Sequence, residues 1–86
     1  MQSTKVKMNK EDFYIGQKIK LPQEDYDYHL ECYGEVLDEY AVVTSLEKLE
    51  THNIVHYKIQ VIGEMWCMIH SGIDYKKVKS YEPSRA

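Results

Sequence analysis

The nine residues from Ile54 to Ile62 alternate apolar and polar side chains more regularly than any other part of this chain. Successive side chains of an extended strand point to opposite faces, so this alternation predicts a strand with one buried face and one wet face. The residues predicted to face inward are Val55, Tyr57, Ile59 and Val61.

Four further segments carry weaker strand signals. Gln17–Leu21 alternates and stops at a proline, Cys32–Thr44 is rich in residues that favour strands, and Met65–His70 is a nearly continuous apolar run typical of a buried strand. Ile73–Val78 has room for one turn and a closing strand. Several short strands at close spacing predict a mostly β protein, a small barrel of about five strands.

Two segments between these strands have no clear period. The acidic stretch Gln23–Glu31 is expected to form a loop or a single irregular turn. Residues 44–50 are open to two interpretations. Thr44 and Glu47 have the spacing of a capping box for a short helix. The alternative, slightly favoured, is the continuation of a hairpin arm that turns at Thr51–Asn53.

A chain of 86 residues has room for one hydrophobic core. We expect residues 1–10 to be a flexible basic tail, residues 11–81 to form the domain, and residues 82–86 to be a frayed end. The longest apolar run, Met65–Ile69, is far shorter than the roughly 20 residues of a membrane helix. No signal peptide is recognisable and the two cysteines allow at most one disulfide, so we expect a cytoplasmic protein with reduced thiols.

The charge of the chain is concentrated in its middle. Residues 21–50 carry a net charge of −8, and no Lys or Arg lies between Leu21 and Leu46. Tyrosines are interleaved with these acids, which is the chemistry of an interface with a basic protein surface; an ordinary solvated face is the alternative. The predicted partner-binding residues are Glu24, Asp25, Tyr26, Asp27, Tyr28, Glu31, Glu35, Asp38, Glu39 and Tyr40.

Other partners remain open. A nucleic-acid-binding protein would use the lysine-rich ends of the chain to neutralise phosphates. A homodimer is a further alternative, because so small a core leaves aromatic side chains exposed that a second copy would cover. The basic residues at the two ends are Lys5, Lys7, Lys10, Lys76, Lys77, Lys79 and Arg85.

The order of these signals resembles an SH3-like barrel. Phe13–Leu21 looks like the opening strand of such modules and Gly34–Leu37 like their second strand. Tyr57–Ile69 looks like the later hairpin and Ile73–Val78 like the final turn and strand. Small barrels of this kind are similar to short bacteriophage-encoded proteins, some of which bind and inhibit a host protein, so the resemblance implies a host-binding role. In a variant of this hypothesis, which follows from the charge, the acidic face imitates nucleic acid.

One set of residues has the composition of a metal site. His29 and Cys32, with Cys67 and His70, offer two nitrogens and two thiolates, a set that zinc accepts in tetrahedral geometry. Residues three apart in a strand point to opposite faces, and Cys67 lies within an apolar run, so a zinc-stabilised domain is only an alternative. The sequence carries no recognisable catalytic constellation or cofactor motif, and we expect a binding protein that is not an enzyme.

Overall fold

Strand β4 is the centre of the fold. The computed structural model describes residues 9–82 and places β4 at Ile54–Ile62, as predicted. One edge of β4 pairs along its whole length with β5, Trp66–Asp74. Its other edge pairs near the start with β3, Ala41–Ser45, and near the end with β2, Glu35–Val36. All of these pairings are antiparallel.

Two short strands extend the sheet beyond β3. β1, Lys18–Lys20, pairs with β3, and β6, Ser80–Tyr81, pairs with β1. The described residues therefore form one antiparallel sheet of six strands, which confirms the mostly β class. The predicted closure into a barrel is wrong, because β5 and β6 lie at opposite edges and do not pair. Closure needs strands long enough to tilt and stagger, and β1 and β6 have three and two residues.

The core lies on one face of this sheet, which we call the inner face. The alternation in β4 buries its odd-numbered residues, and the neighbouring strands supply matching inward residues. The opposite, outer face carries polar and charged side chains of β1, β3 and β4. The buried apolar residues are Phe13, Ile19, Leu21, Ala41, Val43, Leu49, Val55, Tyr57, Ile59, Val61, Ile73, Val78 and Tyr81.

The acidic segment forms a helix, contrary to the loop that the sequence suggested. Helix α1 spans Gln23–Cys32. Pro22 precedes its first residue, where the missing N–H of proline removes no helical hydrogen bond, and Glu24 and Asp25 lie in the first turn, where negative charge is favourable. The helix ends where the N–H of Gly34, at φ +136°, donates to the carbonyl of His29 at 3.1 Å.

The long second strand predicted over Cys32–Thr44 is also wrong. Its first residue ends α1, and its remainder is divided into β2 and β3 by a loop at residues 37–40. Of the two alternatives for residues 44–50, neither holds throughout: β3 continues to Ser45, and a short helix, α2, begins at Leu49 and ends at His52. Asn53, in the left-handed conformation at φ 61°, ends α2 and leads into β4.

The apolar run Met65–His70 belongs to an edge strand and not to the buried strand that was predicted. Among the described strands, β5 pairs with β4 alone, and Trp66 remains 53 % exposed. An apolar run can form a central strand or an edge strand, because the hydropathy of a segment gives no information on how many strands pair with it.

The described region begins with a 3-10 turn and ends with a strand that pairs with β1. Residues 1–8 of the predicted basic tail and residues 83–86 lie outside the described residues. Lys10 begins a 3-10 turn that ends at Asp12, and a second such turn, Tyr75–Lys77, joins β5 to β6. The backbone N–H of Glu82 donates to Lys18 at 2.9 Å. Within residues 9–82, the helices are too short to cross a membrane.

Candidate protein-binding surface

Helix α1 divides its residues between the core and the solvent. Tyr26 and His29, three positions apart, face the sheet, and His29 is 2 % exposed. Glu24, Asp27 and Glu31 are exposed, and their helical spacing places them together on the side opposite His29. The helix therefore presents a stripe of three carboxylates to the solvent.

His29 attaches the helix to the centre of the sheet. Its Nε2 lies 3.1 Å from the hydroxyl of Tyr57, a core residue of β4. Its Nδ1 is buried and has no hydrogen-bond partner among the described residues. Burial lowers the pKa of His29, and the nearby Asp25 opposes this shift only in part, so the folded state favours the neutral imidazole.

Tyr26 attaches the other end of the helix. Its hydroxyl accepts a hydrogen bond from the backbone N–H of Leu21 at 3.1 Å and donates one to the carbonyl of Glu39. Burial raises the pKa of Tyr26, so it remains a protonated donor. One half-buried side chain thus holds together α1, the residue that follows β1, and the loop between β2 and β3.

A groove lies between α1 and that loop. It encloses a volume of ≈ 280 Å³. Tyr26, Val36 and Leu37 give it apolar walls, while Asp38 and Glu39 place carboxylates beside them. Leu37 is 48 % exposed. We call this feature the α1–loop groove; its lining residues are Lys20, Gln23, Tyr26, Val36, Leu37, Asp38 and Glu39.

Leu30 adds an exposed apolar side chain on the groove side of α1. It is 56 % exposed. Gln23, Tyr26 and Leu30 have the i, i+3, i+7 spacing of residues on one side of a helix, and the first two line the groove. The groove thus borders the helix side that carries Tyr26 and the exposed Leu30, next to the carboxylate stripe.

Part of the acidic charge is compensated within the protein. Nζ of Lys20 lies 2.9 Å from a carboxylate oxygen of Glu39 and 5.8 Å from the ring centre of Tyr40. The hydrogen bond with Glu39 raises the pKa of Lys20. Because both partners are at least partly exposed, this ion pair contributes little to stability. Among residues 9–82, the other carboxylate of the groove, Asp38, makes no ion pair of this kind.

The N-terminal end of α1 borders the lysines that follow β5. Pro22 and Glu24 line a second cavity together with Lys76, Lys77 and Lys79. Asp25 is half-buried, and its pKa is raised chiefly by burial, with Lys77 acting in the opposite sense. The acidic field is therefore strongest away from this end, towards Asp27 and Glu31.

Two tyrosines lie at the other end of α1. The rings of Tyr28 and Tyr33 meet edge to face at 6.4 Å between centroids, and both also contact the ring of His29. Tyr28 is 57 % and Tyr33 45 % exposed. Exposed tyrosines of this kind supply contact area at little cost in conformational entropy.

The structure places the ten predicted partner-binding residues on one α1–β2–loop unit. Seven of them are exposed, and Asp25, Tyr26 and Tyr40 are half-buried. Leu30, Leu37 and the groove were not predicted. A helical interpretation of residues 23–32 would have placed Leu30 beside Tyr26, but the meeting of α1 with the loop has no local signal in the sequence.

The four zinc candidates are not brought together. His29 lies under the inner face of the sheet, whereas His70 is paired with Lys58 in the row of side chains on the outer face. Cys32 is exposed at the end of α1. No group of three metal-ligating side chains occurs within residues 9–82.

Comparison with known proteins does not extend this description. No family model, curated protein or solved structure matches the chain.

Proposed function

We propose that this protein is a non-catalytic module that binds another protein through the acidic α1–β2–loop unit. The observation that carries the proposal is the α1–loop groove, because it places the exposed Leu37 and the half-buried Tyr26 and Val36 beside carboxylates. Leu30 and Leu37 offer apolar contact area that the fold itself does not bury. A complementary partner segment carries an apolar anchor flanked by lysine or arginine.

The distribution of charge favours a protein over a nucleic acid. The stripe formed by Glu24, Asp27 and Glu31 repels phosphates and attracts basic surfaces over a Debye length of about 8 Å at physiological salt. Three of the lysines proposed for nucleic-acid binding, at positions 76, 77 and 79, lie next to Glu24 and Asp25 at the N-terminal end of α1 rather than on a separate basic face.

Charge reversal tests this proposal with a matched control. The variant Glu24→Lys, Asp27→Lys and Glu31→Lys changes the stripe. The control Glu47→Lys, Glu50→Lys and Glu64→Lys changes three exposed acids outside it. Both variants raise the net charge from −3 to +3, so they differ only in where the charge lies.

The assay is retention of proteins from a nuclease-treated lysate on the immobilised chain, identified by mass spectrometry at low and moderate salt. We expect a basic protein retained by the wild type and the control but lost with the stripe variant. The affinity between the purified chain and the purified retained protein should decrease as the salt concentration rises. Leu37→Ser should weaken the same complex without changing its salt dependence. Equal retention by both charge variants would refute the proposed surface.

A further inference from the structure

The free edge of β5 has features that the proposed function does not use. β5 is nine residues long and pairs with β4 in an unbroken register, while no strand within residues 9–82 pairs with its other edge. Apart from His70, residues 65–73 contain no ionisable side chain except the thiol of Cys67, and none is a proline. Natural edge strands are usually protected by lysine, proline, a bulge or shortness. β5 has none of these protections.

The opposite edge of the sheet shows the contrast. β6 has two residues, Ser80 and Tyr81, and is flanked by Lys79 and Glu82. A short, charged edge of this kind discourages pairing with another chain. The two edges of one small sheet therefore differ in their capacity to accept a further strand.

The hydrogen-bonding groups of the free edge can be assigned. The N–H of Tyr75 donates to the carbonyl of Asn53 at 2.9 Å, one step beyond the pair formed by Ile54 and Asp74. Hydrogen-bonded and non-hydrogen-bonded pairs alternate along an antiparallel ladder, so the odd-numbered residues of β5 bond to β4. The residues whose N–H and C=O point away from β4 are Trp66, Met68, His70, Gly72 and Asp74.

The apolar surface along β5 is also incompletely covered. On the inner face, Cys67 and Ile69 are only partly buried, although their partners on β4, Val61 and Ile59, are fully buried. At the start of the strand, Met65 is 75 % exposed. An added strand at this edge would extend the sheet and cover the unsealed side of the core.

We propose that β5 pairs antiparallel with β5 of a second copy of this chain about a two-fold axis. An identical strand places like residues near one another across the axis, so a charged edge would repel its copy, whereas a nearly charge-free one does not. In the register of fullest overlap, His70 lies on the axis and Met68 of each chain faces Gly72 of the other. The five outward residues of each chain would then form about ten interchain hydrogen bonds.

Substitution at the axis tests the pairing in the full-length chain. His70 is exposed and lies opposite Lys58 of β4, so His70→Lys adds a surface repulsion between two lysines that is too small to unfold the chain. Across the two-fold axis the same substitution places two lysines opposite each other. Ser80→Lys adds the same charge at the protected edge and serves as the control. Sedimentation equilibrium should show the wild type and Ser80→Lys in a reversible equilibrium between monomer and dimer. His70→Lys should raise the dissociation constant more than about tenfold.

A complementary pair gives a second readout. His70→Glu alone should also weaken the dimer, and mixing it with His70→Lys should restore association because opposite charges then meet at the axis. In the wild type, the backbone amides of the five outward residues should exchange hydrogen more slowly as protein concentration rises. A wild type that stays monomeric, or variants that associate as the wild type does, would overturn the proposal. So would a mixture that fails to recover.

Discussion

The buried contact between His29 and Tyr57 gives the sharpest test of how α1 is held. Tyr57→Phe removes the hydroxyl that lies 3.1 Å from Nε2 of His29 and leaves the ring in place. Nδ1 of the same imidazole has no partner among residues 9–82, so the variant leaves a 2 % exposed side chain with both nitrogens unpaired. Leaving a buried polar group unsatisfied costs about 1–3 kcal/mol. A chain of this size loses about 4–8 °C in Tm for each kcal/mol.

Urea unfolding followed by circular dichroism measures this loss. Tyr28→Phe removes an exposed hydroxyl and should change the unfolding free energy by less than about 0.5 kcal/mol. In the double variant His29→Leu with Tyr57→Phe, both polar partners are gone, so its cost should be smaller than the sum of the two single costs. Additive costs, or a Tyr57→Phe variant as stable as the wild type, would refute the assigned role of this hydrogen bond.

Three further predictions concern α1 and its ends. Burial lowers the pKa of His29 in the folded state, so the unfolded state, where a histidine has its ordinary pKa of about 6.5, binds more protons as the pH drops below that value. The unfolding free energy should therefore decrease as the pH is lowered through this range, and His29→Leu should reduce the dependence. Gly34→Ala should destabilise the fold by about 2 kcal/mol or more, since the added Cβ would collide with the carbonyl oxygen of Ile62. At Gly16 an added Cβ would meet open space, so Gly16→Ala should cost only the strain of a positive φ. Tyr26→Phe should lower the unfolding free energy by about 1–2 kcal/mol, because two hydrogen bonds are lost. Hydrogen exchange should show faster exchange in the loop that borders the groove.

The parts of the fold that follow from local periodicity were predictable. β4 has the bounds that its alternation predicts, and β1 lies within the predicted segment Gln17–Leu21. α1 was missed because its inward positions hold Tyr26 and His29 rather than aliphatic residues, so no apolar helical period is present. Its acidic first turn after Pro22 was the available signal.

The candidate site was predictable only as a set of residues. Acids and tyrosines between residues 24 and 40 are visible in the sequence, but the α1–loop groove depends on long-range contacts that Tyr26 makes with Leu21 and Glu39. The edge position of β5 also depends on long-range contacts, because the whole sheet determines how many strands pair with each strand.

The two sides of α1 have different consequences for how this protein can change over evolutionary time. The positions that attach the helix, Tyr26 and His29, are separate from the carboxylate positions Glu24, Asp27 and Glu31. Most substitutions at exposed helix positions change the unfolding free energy by less than about 0.5 kcal/mol. Selection can therefore rewrite the outward half of α1 to follow a changing partner while the attachment to the sheet stays constant. A library randomised at those three outward positions would have a largely folded population from which new binders can be chosen.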